Sequence, residues 1–339
     1  MRIDDLVLDF TPVLERIKKE KLKKIGICLP EGLKRRAPAI CTLFEEIDCD
    51  AIVSGKACYG ACDVDMELLR HVDLLVHVGH SKMLPLDKVV YVEGTSDIDV
   101  TEVIELAIPL FEEKKIGLTT TVQHIHTLPT ATEILRKHGI EACIVKGDAR
   151  LTYSGQVLGC NFSTARGEFN EVLFIGGGLF HPVLMALATQ KRVIVADPYL
   201  GEARDISNEC DAYLKERYTA IGRAMDAERF GIIVCTKIGQ FRPSLAYKLM
   251  NVLKEEGKEA IIIWMDEVSE EEMMTLGLDA YVVCGCPRIA IDNYHLFSRP
   301  VLTPYELEMV LGRAPLHELH IDEIHGLGEK NTEVQGEFR

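Results

Sequence analysis

The sequence predicts an α/β fold of three similar small domains, each a parallel sheet flanked by helices, in a pseudo-threefold arrangement. A charged pair, an apolar residue, a glycine and an apolar run recur three times, with the glycines at Gly26, Gly117 and Gly231. These glycines are 91 (117 − 26) and 114 (231 − 117) residues apart, which is the period of repeated domains. Strand and helix patterns alternate after each glycine, which predicts parallel sheets with right-handed crossovers.

The elements of the three units are predicted in the same order. Each unit opens with a strand, at 23–29, 114–119 and 228–234. Apolar residues at helical spacing then predict helices at 36–46, 129–138 and 243–256. Short apolar runs predict second strands at 50–53, 141–145 and 259–264, third strands at 73–78, 171–175 and 279–283, and fourth strands at 89–92, 192–196 and 300–303.

The predicted domains follow from these repeats. They cover residues 1–110, 111–222 and 223–325, and a polar tail occupies 326–339. Ahead of the first unit, Leu6, Phe10, Val13, Leu14 and Ile17 fall on one face of an amphipathic leading helix.

Composition excludes several classes of protein. The 339 residues carry a net charge of −15, which argues against a surface that follows nucleic-acid phosphates. No apolar run reaches the roughly 18 residues of a membrane span. The first residues include acids where a secretory signal would be basic, so we expect a cytoplasmic protein.

Eleven cysteines are many for a protein of a reducing compartment, and their positions separate core residues from candidate ligands. Cys28, Cys143 and Cys235 lie inside apolar strands and Cys41 lies on a helix, which is typical of buried, unreactive cysteine. Cys49 and Cys210 have polar neighbours and no nearby cysteine, and are taken as structural. The remaining five follow predicted strands: Cys58, Cys62, Cys160, Cys284 and Cys286.

Ligands of open α/β sheets bind beyond the carboxyl ends of the strands, so one candidate from each unit could meet at a common centre. We favour Cys58, Cys160 and Cys286. Cys58 is nearer to its strand than Cys62, which stays open as the alternative. Three thiolates suit either a zinc ion with an open position or an iron–sulfur cluster. No CxxC and no C-x3-C-x2-C motif is present to decide between them.

Several separated motifs resemble the family of archaeal diphthamide synthase, 2-(3-amino-3-carboxypropyl)histidine synthase, over nearly the whole chain. The motifs that carry the resemblance are Gly-Lys-Ala-Cys-Tyr-Gly-Ala-Cys-Asp at 55–63, Tyr-Ser-Gly-Gln-Val-Leu-Gly-Cys at 153–160, Lys-Ile-Gly-Gln at 237–240, Cys-Gly-Cys-Pro-Arg at 284–288 and Leu-Thr-Pro-Tyr-Glu at 302–306.

The resemblance implies three α/β domains around a central 4Fe–4S cluster, which one cysteine of each domain binds: Cys58, Cys160 and Cys286. It implies a homodimer and a cluster iron that engages S-adenosylmethionine. An electron, supplied through an electron donor protein, cleaves the bond from sulfur to the methionine γ-carbon. The products are 5′-methylthioadenosine and a 3-amino-3-carboxypropyl radical. The radical adds to C2 of a histidine imidazole on translation elongation factor 2, the first step of diphthamide biosynthesis.

Six further residues are candidate contacts to the cofactor. Gly176, Gly177 and Gly178 follow a predicted strand and precede a helix, so their backbone could approach a ligand, or they could form only a tight turn. His181 could bond to a ligand or cap the helix. Gln240 follows the first strand of the third unit, and Arg288 could pair with the methionine carboxylate or with a surface acid.

Two other interpretations stay open. Quinolinate synthase also arranges three α/β domains around a cluster held by three cysteines, and acts on small acids. A zinc-stapled binding module without enzymatic activity would use the same three thiolates.

Overall fold

The computed structural model describes residues 1–3, 5–292 and 296–326. Three parallel sheets dominate it, which confirms the α/β class. The first sheet has the spatial order Asp50–Val53, Lys24–Cys28, Leu74–Val78, Val89–Val92. The second has the order Glu202–Asp205, Arg192–Asp197, Glu171–Ile175, Lys115–Thr120, Glu141–Cys143, and the third has the order Glu259–Met265, Arg229–Cys235, Ala280–Cys284, Val301–Leu302.

The three sheets share one topology. In each, the second strand along the chain lies at an edge, and the first, third and fourth strands follow in space. These pairings are all parallel, and the added strand Glu202–Asp205 runs antiparallel to its neighbour. The predicted strands are therefore confirmed, with bounds that move by one or two residues. The predicted tail lies outside the described residues from 327 onward.

Helices cover the faces of the sheets. Their bounds are Thr11–Glu20, Ala37–Glu45, Met66–Leu69, Thr101–Ala107, Leu128–Lys137, Phe180–Thr189, Ser207–Ala224, Pro243–Glu255, Glu270–Leu276, Pro287–Asp292 and Pro304–Val310. Short 3-10 turns lie at Glu31–Arg36, Ile108–Leu110, Val122–Thr127, Ser163–Ala165 and Ile238–Gln240. The helix predicted after the first strand of each unit forms within two residues of its expected bounds. Among the described residues, no helix is both long and apolar enough to cross a bilayer.

A carboxylate repeats the same contact in all three units. Asp73, Glu171 and Asp279 each lie at the start of a third strand, and each accepts two backbone N–H bonds, at 2.8–3.3 Å, from residues just before or at the start of the first strand. The carboxylate thus ties the beginnings of two neighbouring strands together. The three units therefore share this side-chain contact in addition to their strand order.

The long helix Ser207–Ala224 connects the second sheet to the third. Its second half packs in the core of the third sheet, where Ala220 and Ile221 meet Phe230. Arg217 of this helix is 0% exposed and forms a two-point ion pair with Glu306 at 2.6–2.7 Å. The domain boundary at residue 222 stays a prediction, and it falls in the last turn of this helix.

The N-terminus differs from the predicted leading helix. Leu6–Leu8 is a strand that pairs antiparallel with Arg2–Ile3 and with Gly94–Ser96, and the helix begins only at Thr11. Leu6 and Phe10 therefore do not belong to the helix, although Val13 and Ile17 do and are buried as expected. The pairing of Leu6–Leu8 with Gly94–Ser96 joins residues about 90 positions apart, so the sequence around Leu6 alone does not predict this strand.

Candidate metal centre

The carboxyl ends of the three parallel sheets border one cavity of about 410 Å³. His80 follows the third strand of the first sheet, Thr121 follows the first strand of the second, and Cys286 follows the third strand of the third. All three line the cavity. The site therefore lies where ligand sites of open α/β sheets are found.

Three cysteines line this cavity, one from each unit: Cys62, Cys160 and Cys286. Cys160 is 7% exposed. Burial, with a smaller contribution from Cys160, raises the pKa of the Cys62 thiol to about 11. Burial also raises the pKa of Cys286 well above its usual value, with added contributions from Cys160 and Cys62. The three sulfurs are thus close enough for each negative charge to disfavour the others.

The third unit fixes the position of Cys62. A Cβ on Gly239 would lie 2.4 Å from Cys62 Cβ and 2.6 Å from its Cα, so only glycine allows this approach. Gly239 N–H donates to the Cys62 carbonyl at 3.0 Å. The Gln240 side-chain amide donates to Cys62 Sγ at 3.2 Å, and its oxygen accepts from the Cys235 thiol at 3.2 Å. Gln240 therefore holds the cysteine of the first unit from the third.

A buried cation, Arg150, lies next to the Cys160 thiol. Arg150 is 1% exposed and forms no ion pair with a carboxylate among the described residues. Its Nη2 donates to the Gly239 carbonyl at 2.7 Å. Burial raises the pKa of Cys160, and Arg150 opposes that rise through its charge and a hydrogen bond. Arg150 thereby favours the thiolate form that a metal needs.

A second cation lies at the edge of the cavity with acidic partners. Lys237 Nζ contacts Asp63 at 3.1 Å and Glu267 at 2.7 Å. Burial works against the charged form of Lys237, but these two acids outweigh it and raise its pKa. Tyr59 lines the same edge and is 60% exposed, so the cavity is open to solvent on this side.

Arg288 lies opposite, on the helix that starts at Pro287. Its guanidinium stacks on the Phe180 ring at 3.7 Å from the ring centroid and pairs with Asp292 at 2.5–2.6 Å. His181 lines the same wall, and burial lowers its pKa to about 3, with a smaller effect of Arg288. Arg288, His181 and Gln240 all line the cavity, and their contact with a cofactor stays a prediction.

Of the two cysteines of this loop, Cys62 and not the predicted Cys58 lines the large cavity; which of them binds a cluster stays a prediction. Cys58 does not line the large cavity; it lines a separate one of about 80 Å³, together with Cys28. Its Sγ lies 3.7 Å from His77 Nε2. The sequence favoured Cys58 because it is nearer to the strand. The loop continues past Gly60, however, and Cys62 is the residue that contacts Gly239.

The glycine run also differs from expectation. Gly176, Gly177 and Gly178 are not among the residues that line the cavity. Gly176 and Gly178 have φ of 148° and 78°, and a Cβ on Gly177 would lie 2.7 Å from the Tyr199 ring. The run is a tight strand-to-helix turn beneath Tyr199. It serves the site indirectly, because the helix that follows presents Phe180 and His181.

The donor set fits a group held by three thiolates. The thiols of Cys62, Cys160 and Cys286 line the cavity from three units, and their sulfurs do not all lie within 4.8 Å of one another, so they suit a group of several atoms such as an iron–sulfur cluster better than a single ion. A structural zinc site usually has four protein ligands, so three thiols are typical of a site that keeps one position free.

A family model with the description "Putative diphthamide synthesis protein" matches residues 29–319. The chain belongs to this family. It is 39% identical to the 2-(3-amino-3-carboxypropyl)histidine synthase of Pyrococcus horikoshii, over 96% of this chain and 95% of that protein. It is 29% identical to subunit 1 of the same synthase from Schizosaccharomyces pombe, over 90% of this chain and 73% of that subunit.

A solved relative shares the fold. The crystal structure of Dph2 from Pyrococcus horikoshii with a 4Fe-4S cluster superposes on this chain with a TM-score of 0.89, at 38% identity, and covers 96% of both chains. The family resemblance found in the separated motifs is therefore confirmed, and the fold class with it.

Proposed function

We propose that this protein is a 2-(3-amino-3-carboxypropyl)histidine synthase. It transfers the 3-amino-3-carboxypropyl group of S-adenosylmethionine to C2 of a histidine imidazole on translation elongation factor 2, and releases 5′-methylthioadenosine. This is the first step of diphthamide biosynthesis. The observation that carries the proposal is the meeting of Cys62, Cys160 and Cys286 at one cavity, in a chain of this family.

We assign the cluster ligands to these three thiols, with Cys62 in place of Cys58. A 4Fe–4S cluster bound there would supply the electron that cleaves the bond from sulfur to the γ-carbon. Gln240 and Gly239 keep Cys62 in reach of the other two sulfurs. Arg150 adds a positive charge next to Cys160, which offsets the negative charge of the thiolates.

The cavity wall binds and orients the cosubstrate. Arg288 is the cation placed to receive the methionine carboxylate, since its guanidinium is held flat on Phe180 and only one acid, Asp292, pairs with it among the described residues. His181 is neutral because of its burial, so it acts as a hydrogen-bonding group without adding charge near the sulfonium. Orientation decides which of three carbon–sulfur bonds is broken.

The solvent-open edge at Tyr59 is where a histidine of a protein substrate could enter the cavity. We propose a homodimer as the working form and an electron donor protein as a further partner. Both rest on membership of the family and not on a surface described here.

The test incubates reduced, anaerobic, iron–sulfur-loaded protein with S-adenosylmethionine and elongation factor 2. We expect methylthioadenosine and a mass gain on the factor at one histidine. Product on small acids without S-adenosylmethionine would instead indicate a quinolinate synthase-like enzyme. One zinc without iron or sulfide after anaerobic purification would indicate a zinc-stapled module.

The ligand assignment has its own control. Iron and sulfide per chain are counted in Cys62→Ala, Cys160→Ala and Cys286→Ala, with Cys58→Ala as the matched variant from the same loop. We expect cluster loss in the first three and near-normal loading in the last. Loss of iron in Cys58→Ala with retention in Cys62→Ala would overturn the assignment.

A further inference from the structure

A second group of potential ligands lies beside the cavity and is separate from the three thiols that line it. Cys58 Sγ, a nitrogen of His77 and a nitrogen of His80 all lie within 4.8 Å of one another. His77 is 0% exposed and Cys58 is 5% exposed, so water does not compete freely for their atoms, and His80 is partly buried at the cavity wall. The catalytic proposal uses neither Cys58 nor His77.

The distances match those around a tetrahedral transition metal. A zinc ion bonds to sulfur at about 2.3 Å and to imidazole nitrogen at about 2.0–2.1 Å, so two ligands are separated by about 3.5 Å for sulfur and nitrogen and about 3.3 Å for two nitrogens. Cys58 Sγ lies 3.7 Å from His77 Nε2. His77 Nε2 lies 3.2 Å from His80 Nδ1.

The hydrogen bonds among Cys58, His77 and His80 cannot all form at once. His77 Nε2 faces both Cys58 and His80, but an imidazole nitrogen carries either one hydrogen or one lone pair in the ring plane. It can therefore form one good hydrogen bond within the group, and the Cys58 thiol has a further acceptor in the Asp63 carbonyl, at the long distance of 3.9 Å. A cation placed between the three atoms accepts a lone pair from each of them.

The backbone holds the three ligands without further rearrangement. His77 lies in the strand Leu74–Val78, whose five residues are all buried, and its ring packs on Tyr91 at 5.1 Å between centroids. His80 follows the end of that strand, and Cys58 lies in the loop after Asp50–Val53, the edge strand that Lys24–Cys28 separates from it in the same sheet. All three come from the first unit, so the group forms independently of the other two units.

We propose that Cys58, His77 and His80 form a mononuclear site for a borderline divalent metal of the zinc type, distinct from the three-thiol centre. On binding, the Cys58 thiol releases its proton to solvent and the two histidines coordinate in their neutral form. The metal ties the loop that carries Cys58 to the central strand.

The test uses the full-length protein with its iron–sulfur cluster loaded anaerobically, and Co²⁺ as the probe. With the cluster in place, the thiols of the cavity are occupied, so added cobalt reports on other sites. We expect one cobalt per chain with the intense visible bands of a tetrahedral ion and a thiolate-to-cobalt charge-transfer band. Zn²⁺ should displace it.

Variants separate this site from its surroundings. Cys58→Ser and His80→Gln should each weaken cobalt binding by at least 100-fold while iron content is kept. Cys28→Ser, a buried neighbour of Cys58, and His124→Gln, a buried histidine of the second unit, should bind cobalt normally.

The proposal fails if the loaded protein binds no cobalt, or if cobalt remains tightly bound in both Cys58→Ser and His80→Gln. It also fails if Cys58→Ser loses iron and sulfide, because Cys58 would then be a cluster ligand. Far-ultraviolet circular dichroism of each variant shows that lost binding is not lost folding. The outcome does not depend on the transferase assay.

Discussion

Substitution of Gly239 by alanine tests how the third unit positions Cys62. The added Cβ would lie 2.4, 2.6 and 2.8 Å from Cys62 Cβ, Cα and carbonyl oxygen. Non-bonded carbons prefer about 3.5–4.0 Å, so the two segments must separate by about 1 Å. The atoms are main chain or directly attached to it, and no side-chain rotation relieves the overlap.

The size of this shift decides the expected result. Metal sites tolerate errors of about 0.2 Å in ligand distance, which is several times smaller than the required shift. We therefore expect Gly239→Ala to lose most of its iron and sulfide. Overpacking costs about 1–3 kcal/mol, so the cluster-free protein should be less stable by a similar amount.

The assay counts iron and sulfide per chain after anaerobic reconstitution and measures urea unfolding of the cluster-free protein. Gly55→Ala is the control, because a Cβ at Gly55, in the loop that carries Cys62, meets nothing within 4 Å. Wild-type loading and stability in Gly239→Ala would refute the argument that this close approach fixes Cys62.

Three further predictions concern other contacts. Glu306→Gln leaves the buried Arg217 without its ion pair, so unfolding in urea should show a loss of about 3–5 kcal/mol. Asp279→Asn should lower stability much more at pH 7 than at pH 2. The Arg229 side chain and backbone lower the pKa of Asp279 to about 2, so its contribution is complete above about pH 4 and is lost as the pH falls through 2. Arg288→Met should raise the KM for S-adenosylmethionine at least tenfold and leave iron content unchanged.

Each of these three predictions has a control variant or a result that would contradict it. Glu228→Gln, which breaks a solvent-exposed pair with Lys258, should cost less than about 1 kcal/mol, and an equal loss in Glu306→Gln would contradict the role of burial. A stability difference for Asp279→Asn that persists unchanged at pH 2 would exclude its titration as the cause. Unchanged KM in Arg288→Met would remove Arg288 from cosubstrate binding.

The repeated architecture could be predicted from sequence because its signals are local. Gly26, Gly117 and Gly231 each mark a strand of buried residues, and the helices that follow show their apolar period. The first eight residues could not be predicted in this way. Leu6–Leu8 becomes a strand because Gly94–Ser96 pairs with it, and that partner lies far away in the chain.

Part of the site could also be predicted from local signals in the sequence. Cys160, Cys286, Gln240 and Arg288 follow strands, and the rule that ligands bind at carboxyl ends places them at the cavity. The choice of Cys58 over Cys62 depended on the path of a loop, and that path depends on Gly239, 177 positions after Cys62.

Arg150 gave no signal in the sequence at all. Its guanidinium is buried because the loop of the second unit folds over it and the Gly239 carbonyl of the third unit accepts its hydrogen bond. The glycine run Gly176–Gly178 suggested a backbone close to a ligand. In the structure the run forms a turn under Tyr199 and does not line the cavity.

The spread of the three cavity thiols along the chain sets an order of events during synthesis. Cys286 is translated 224 residues after Cys62 (286 − 62), which takes about 11–45 s at about 5–20 residues per second. During that interval the earlier thiols have no third partner, and a nascent chain cannot yet enclose a cluster. A cluster held by Cys62, Cys160 and Cys286, as proposed above, would therefore enter only after the chain has been made at least to Cys286.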